Sequence, residues 1–159
     1  VHPTFVPNSH PLANVNDAFN AVFVKGHACG EMMFYGRGAG DLPTASALVS
    51  DLICAAKAKR HELPAVSEAP CRMAEDWHCV HFVRMRAKDE PGVLSLITGG
   101  FAAEGVSIAS MVQKGERDEA GFVQLIFLTH RAGEHAVRRA LAKMDSAQAS
   151  AESVIRVEE

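Results

Sequence analysis

A chain of 159 residues, 48% hydrophobic and 22% charged, lies in the ordinary range of globular proteins and is long enough for one domain or two small ones. A formal net charge of −3, with the basic residues scattered rather than massed into a stripe, gives no general attraction to nucleic acid or to an acidic membrane. No run of about 18 apolar residues occurs and the first residues lack the pattern of a secretory signal, so the expectation is a cytoplasmic protein with no nucleic-acid and no membrane partner.

The four cysteines, Cys29, Cys54, Cys71 and Cys79, form no C-x-x-C pair, which predicts reduced structural thiols rather than a zinc knuckle or a redox dithiol. His78 and His81 are close in sequence, but three residues apart on an expected strand they point to opposite faces, and no metal site is expected.

Residues 1–11 contain three prolines and little periodicity, and read as extended chain expected to pack on something outside this sequence. Two β-prone runs, residues 19–25 and 31–35, joined by the Gly26–Gly30 stretch, predict a hairpin. The string Tyr35-Gly36-Arg37-Gly38-Ala39-Gly40 follows, and Pro43 suits a first helical position. Ala45, Leu48, Val49, Leu52, Ile53 and Ala56 then recur at helical spacing and predict a helix to about Arg60 with one wide apolar face.

Residues 61–76 hold Pro64, Pro70 and several acidic residues without apolar periodicity, and read as a linker at a domain boundary. Beyond it the pattern gives strands at 79–86, 106–113, 121–130 and 151–157 and helices at 91–104 and 133–144. The order βαββαβ predicts an α+β, ferredoxin-like domain: a four-stranded antiparallel sheet with both helices on one face, preceded by the hairpin and long helix. Its open face or edge invites homodimerisation, through the sheet or the N-terminal segment. Val93, Leu94, Leu96, Ile97, Phe101, Val106, Ile108, Val123, Leu125, Phe127, Val137 and Leu141 are expected in the core, and the charged tip at 116–119 in solvent.

Gly36, Gly38 and Gly40, between a strand and a helix, admit two readings. One is tight backbone packing at the turn, the other contact with an anionic ligand at the helix start. The spacing is not the G-x-G-x-x-G of a dinucleotide fingerprint, and the region downstream is a linker instead of a second strand.

The residues Phe19-Asn20-Ala21-Val22, Tyr35 to Gly40, Pro43-Thr44-Ala45-Ser46-Ala47 and Asp51-Leu52 together resemble the closing part of the catalytic region of homoserine dehydrogenases. Those enzymes reversibly reduce aspartate semialdehyde to homoserine with NADH or NADPH. The resemblance implies that Gly38, Ala39 and Gly40 lie near the nicotinamide cofactor, NAD or NADP. Arg37 stands where proline is common in the family, either adding charge near the cofactor or simply solvated. The catalytic lysine and substrate-binding carboxylates are expected upstream of Val1, so no catalytic residue is expected in this chain and it should be inactive by itself, without bound cofactor.

Residues 77–159 resemble an ACT domain, an amino-acid-binding regulatory module, through Asp89, Pro91, Gly92, Val93 and Leu94 at the first strand-to-helix loop and Gly105 to Ile108 and Gln113 on the second strand. N–H groups of Gly92, Val93 and Leu94 would seat the carboxylate of an effector. Asp89 would take its ammonium, and Gln113 would offer an amide, from the same or a partner subunit. Alternatively Asp89 caps the helix and Pro91 starts it. The division is therefore 1–60 for the end of the catalytic region, 61–76 for the linker and 77–159 for the ACT domain, with threonine the expected feedback effector. The rival readings are a separate amino-acid-binding regulatory subunit and a module that only dimerises.

Overall fold

The computed structural model describes residues 1–57, 76–144 and 146–158. Cys71, the expected helix end beyond Lys57 and the expected linker apart from Asp76 lie outside the described residues. In chain order the elements are β1 (Thr4–Phe5), a 3-10 turn (Pro11–Asn14), β2 (Phe19–Gly26), β3 (Gly30–Arg37), α1 (Asp41–Lys57), β4 (His78–Lys88), α2 (Val93–Ala103), β5 (Ile108–Lys114), β6 (Phe122–Thr129), β7 (Ala132–Gly133), α3 (Glu134–Met144) and β8 (Ala149–Val157). They fall into two compact units, one of Val1–Val6 with the chain from Asp76 onward, the other of residues 7–57.

In the first unit the strands lie in the order β1-β8-β4-β6-β5. β4 is central and antiparallel to both β6 and β8, and β5 is antiparallel to β6. This is the ferredoxin-like arrangement. Strict alternation along β4 buries Cys79, His81, Val83, Met85 and Ala87 on one face. Ile97 and Phe101 of α2 and Val137, Ala140, Leu141 and Met144 of α3 cover that face. Gly100 lets the two helices approach: a Cβ there would sit 2.4 Å from the Met144 sulfur. Phe82, Arg84 and Arg86 project to the other sheet face.

The opening segment, expected to pack outside this chain, instead pairs in parallel with β8, Thr4 opposite Arg156 and Phe5 opposite Val157. Glu158 N–H donates to Phe5 O at 2.9 Å, and the Phe5 ring meets the edge of Phe82 at 5.3 Å between centroids. A strand of two residues between Pro3 and Pro7 is too short to show a period of two, and the prolines remove ladder donors on either side. Leu94 and Leu96 also depart from the expected core: both are exposed, outside the face of α2 that Val93, Ile97 and Phe101 bury.

In the second unit β2 and β3 pair from Phe19–Arg37 to Gly26–Gly30, with Gly30 at φ 72° closing the turn. The α1 helix starts two residues ahead of Pro43, at Asp41, whose carboxylate suits the first turn. None of its residues is buried.

Candidate functional site

The loop from β4 to α2 and the first turn of α2 hold four of the five residues singled out for effector binding, Asp89 and Gly92 in the loop and Val93 and Leu94 in the helix. Asp89 N–H donates to Gly121 O at 3.0 Å, which ties the loop to the start of β6. The Asp89 carboxylate does not cap the helix. It accepts from Arg117 Nη2 at 2.8 Å and Nε at 3.2 Å, and Arg117 Nη2 also donates to Asp89 O at 2.8 Å. Gly92 stands at the helix N-cap in the left-handed region, φ 94°, where a side chain is strained, and open space surrounds the position a Cβ would take. Val93 turns its side chain into the core and spends its N–H on Glu90 O at 3.3 Å. The Leu94 side chain points outward.

Gln113 lies on β5, opposite Leu125 of β6, and so on the helix-covered side at the sheet edge. Met111 shares that side and Val112 takes the other. Both are exposed, as is every residue of β5 after Ile108. Asp89 and Gln113 thus sit on separate elements, the loop before α2 and the edge strand β5.

The charged tip, read as merely solvated, is built. Asp118 accepts from Ala120 N–H and Phe122 N–H, both at 2.9 Å, and from Arg86 Nη2 at 2.6 Å. The Arg86 hydrogen bond, with that of Phe122, holds its carboxyl below the usual range. Gly121 at φ 82° completes the turn. Asp118 followed three residues later by Gly121 is a turn signature visible in the sequence. This turn is what carries Arg117 to Asp89.

At the glycine turn, Gly38 N–H donates to Ala18 O at 3.2 Å, and a Cβ on Gly38 would fall 1.6 Å from the Asn20 side-chain amide. A side chain at position 38 therefore fits only if the Asn20 side chain moves aside. Gly40 has φ 121°, and its carbonyl accepts both Thr44 N–H and Thr44 Oγ1–H, at 3.1 and 2.8 Å. Gly38, Ala39 and Gly40 are all exposed, so their backbone can be reached from outside. The Arg37 guanidinium lies 5.0 Å over the Phe19 ring, which stacks on Tyr35.

His78 is exposed and His81 buried, on opposite faces of β4. Among the described residues no group of three or more histidines, cysteines or acids is placed to hold a metal ion. Cys29, Cys54 and Cys79 are free. No helix among the described residues is long and apolar enough to cross a membrane.

A homoserine dehydrogenase family profile matches residues 1–53, and an ACT domain profile matches residues 81–145. The chain is 34% identical to the homoserine dehydrogenase of Pseudomonas aeruginosa, over 99% of its own length and 39% of that protein. It is 40% identical to that of Mycobacterium bovis, over 99% of its length and 38% of the relative. Among solved structures, a homoserine dehydrogenase from Thiobacillus denitrificans superposes with a TM-score of 0.77 at 36% identity, covering 99% of this chain and 38% of that one. The chain spans less than two fifths of the relatives it matches, and what it matches is their dehydrogenase segment followed by the regulatory module. The chain corresponds to the C-terminal region of homoserine dehydrogenase together with its ACT domain.

Proposed function

We propose that this chain serves an NAD- or NADP-dependent homoserine dehydrogenase, closing its catalytic region and sensing an amino-acid effector, threonine, through the ACT domain. Residues 1–60 belong to the catalytic region, 61–76 link, and 77–159 regulate. The observation that carries the sensing role is the Asp89 carboxylate, half exposed, held at the strand-to-helix loop by one guanidinium beside the open left-handed Gly92. A zwitterionic amino acid offers the same pair of charges: its ammonium replaces Arg117 at Asp89, while N–H groups at the helix start receive its carboxylate. Gly92 permits the approach. Val93 contributes mainly by holding the helix in the core, and Gln113 supplies an amide from the neighbouring edge.

The exposed β5 edge supports a homodimer through the ACT sheet, since its ladder groups have no further strand among the described residues and its Met111 and Val112 are exposed. In a dimer of that kind Gln113 of one subunit reaches toward the loop of the other. An effector lowers activity only if it prefers the less active arrangement of the paired domains. The same edge favours, as second reading, a module that dimerises and binds nothing.

Gly38, Ala39 and Gly40 fit the neighbourhood of a nicotinamide cofactor because their backbone is exposed at the start of α1, although the Asn20 side chain also crowds the place of a Cβ at Gly38. NAD or NADP, when bound, supplies or takes up the hydride. This chain positions; it holds no catalytic residue and is inactive alone.

Calorimetric titration of the chain with threonine, and in parallel with serine, isoleucine, methionine and lysine, tests the sensing role. Saturable binding selective for threonine and weakened at least about tenfold by Asp89→Ala is expected. No binding by a folded dimer would leave the assembly reading.

A further inference from the structure

On the reading of the Asp89 loop as an effector site, we propose that Arg117 is an internal competitor for the ammonium seat. It lowers effector affinity, and the effector binds by releasing it from Asp89. Three hydrogen bonds hold the guanidinium in place: Nη2 and Nε donate to Asp89 Oδ2 at 2.8 and 3.2 Å, and Nη2 donates to Asp89 O at 2.8 Å. Both bonds to the carboxylate end on one oxygen, which is not the two-oxygen fork of the strongest arginine–carboxylate pairs. The side chains are 57% and 41% exposed, so water reaches the pair and weakens it. Such a contact is strong enough to compete with a ligand and weak enough to be displaced by one.

The frame around the pair does not depend on it. Asp118 N–H donates to Phe122 O at 2.8 Å and Gly121 N–H to Asp118 O at 2.9 Å, while the Asp118 carboxylate holds Ala120 N–H, Phe122 N–H and Arg86. Asp89 N–H donates to Gly121 O at 3.0 Å, a tie between loop and turn that leaves the Arg117 side chain out. Release therefore needs one side chain to move and no backbone. The cations nearby have acids of their own, Arg86 with Asp118 at 2.6 Å and Lys88 with Glu90 at 4.0 Å, so Arg117 is the one that stands on Asp89. Glu116 and Glu119, exposed on either side of it along the turn, give the released guanidinium acidic neighbours.

A competitor inverts the usual sign of a truncation at a binding site: removing the side chain raises affinity. The apparent affinity falls with the fraction of molecules in which Asp89 is open, so occupation by Arg117 for about four fifths of the time weakens binding about fivefold.

The test combines calorimetric titration of the chain with threonine and NMR of the chain labelled with 15N-arginine. The Arg117 Nε–H signal is identified by its loss in Arg117→Lys. Arg117→Ala, at an exposed side chain, is expected to bind threonine about three- to fivefold more tightly than the unaltered chain. In an Asp89→Ala background the same substitution should bring no gain. Saturating threonine should move the Arg117 signal to the position it takes in the Asp89→Ala chain without ligand. Equal or weaker binding by a folded Arg117→Ala chain, a gain that persists without Asp89, or an Arg117 signal that stays in place while threonine binds overturns the competition and leaves the effector reading standing. Binding of threonine by neither chain overturns both together. The NMR measurement decides the matter even if Arg117→Ala does not fold.

Discussion

Both α1 and α2 are rich in valine, leucine, isoleucine and alanine, yet Ile97 and Phe101 of α2 are fully buried while Leu48, Val49, Leu52 and Ile53 of α1 are all exposed. The hairpin beside α1 repeats the contrast, with Val22, Met33, Phe34 and Tyr35 in solvent. Helical periodicity states which face wants cover; whether the chain supplies the cover is a separate question. The ACT unit contains sheet and helices that bury one another. Among the described residues the hairpin and α1 have no such counterpart, in a chain that spans less than two fifths of the length of the relatives it matches.

Side-chain truncation should separate the two units most widely. Phe101→Ala, at a fully buried position packed beside Phe127 at 5.6 Å between ring centroids, is expected to cost about 3–5 kcal/mol. Leu52→Ala in this same chain should change stability by no more than about 0.5 kcal/mol, because the side chain is already in water. Urea unfolding of both variants measures the gap. A large loss from Leu52→Ala would mean that α1 is covered in solution, by a second copy of the chain or by the rest of it.

The next effect is confined to the hairpin unit. Gly38→Ala forces the Asn20 amide aside and is expected to cost about 1–3 kcal/mol, read as faster amide exchange in β2 and β3 with the ACT strands unchanged. Gly38→Ala combined with Asn20→Ala should recover most of the protection. If it does not, the glycine is needed for more than this contact.

A smaller effect distinguishes the units by pH. His81 has its pKa lowered in the folded state by burial, against a usual value of 6.5, so between the two values the unfolded chain binds a proton that the folded chain refuses. Its contribution is therefore complete above about pH 6.5 and is lost as pH falls through the folded value. The groups around it are Cys79, Glu134, Arg156 and Asp76. Denaturation midpoints of the ACT unit should fall between about pH 7 and pH 5.5, and His81→Gln should flatten that slope. The exchange protection of the hairpin unit should not follow it.

Most of the ACT fold is legible in the sequence because alternation and helical spacing agree there with turn chemistry, as in β4 or at Gly92. What escapes is long-range. The pairing of Thr4 and Phe5 with β8 joins residues about 150 positions apart with no periodic signal between the prolines. Arg117 at Asp89 depends on how the Asp118 turn aims one side chain across the sheet end, which a run of alternating charges does not specify. The burial of His81 was within reach: it shares its face with Val83, Met85 and Ala87 by simple alternation. Leu94 and Leu96 were assigned to the core by residue type, although only Val93, Ile97 and Phe101 follow the spacing of one helical face.

The smallest expected effect concerns how α2 is held to α3. Glu104, the C-cap of α2, accepts from Arg139 Nε at 2.8 Å and from Lys143 Nζ, both on α3. Those hydrogen bonds keep its carboxyl below the usual range near 4.5. With the folded pKa lowered, the contribution is present above the unfolded value and disappears as pH falls through the folded one. Both cations are well exposed, so salt should screen the pair. Glu104→Gln is therefore expected to lower the unfolding midpoint only slightly at neutral pH and low salt, less so at high salt, and not at all once the carboxyl is protonated. A deficit that persists through high salt and low pH would assign the role of Glu104 to packing between the helices rather than to its charge.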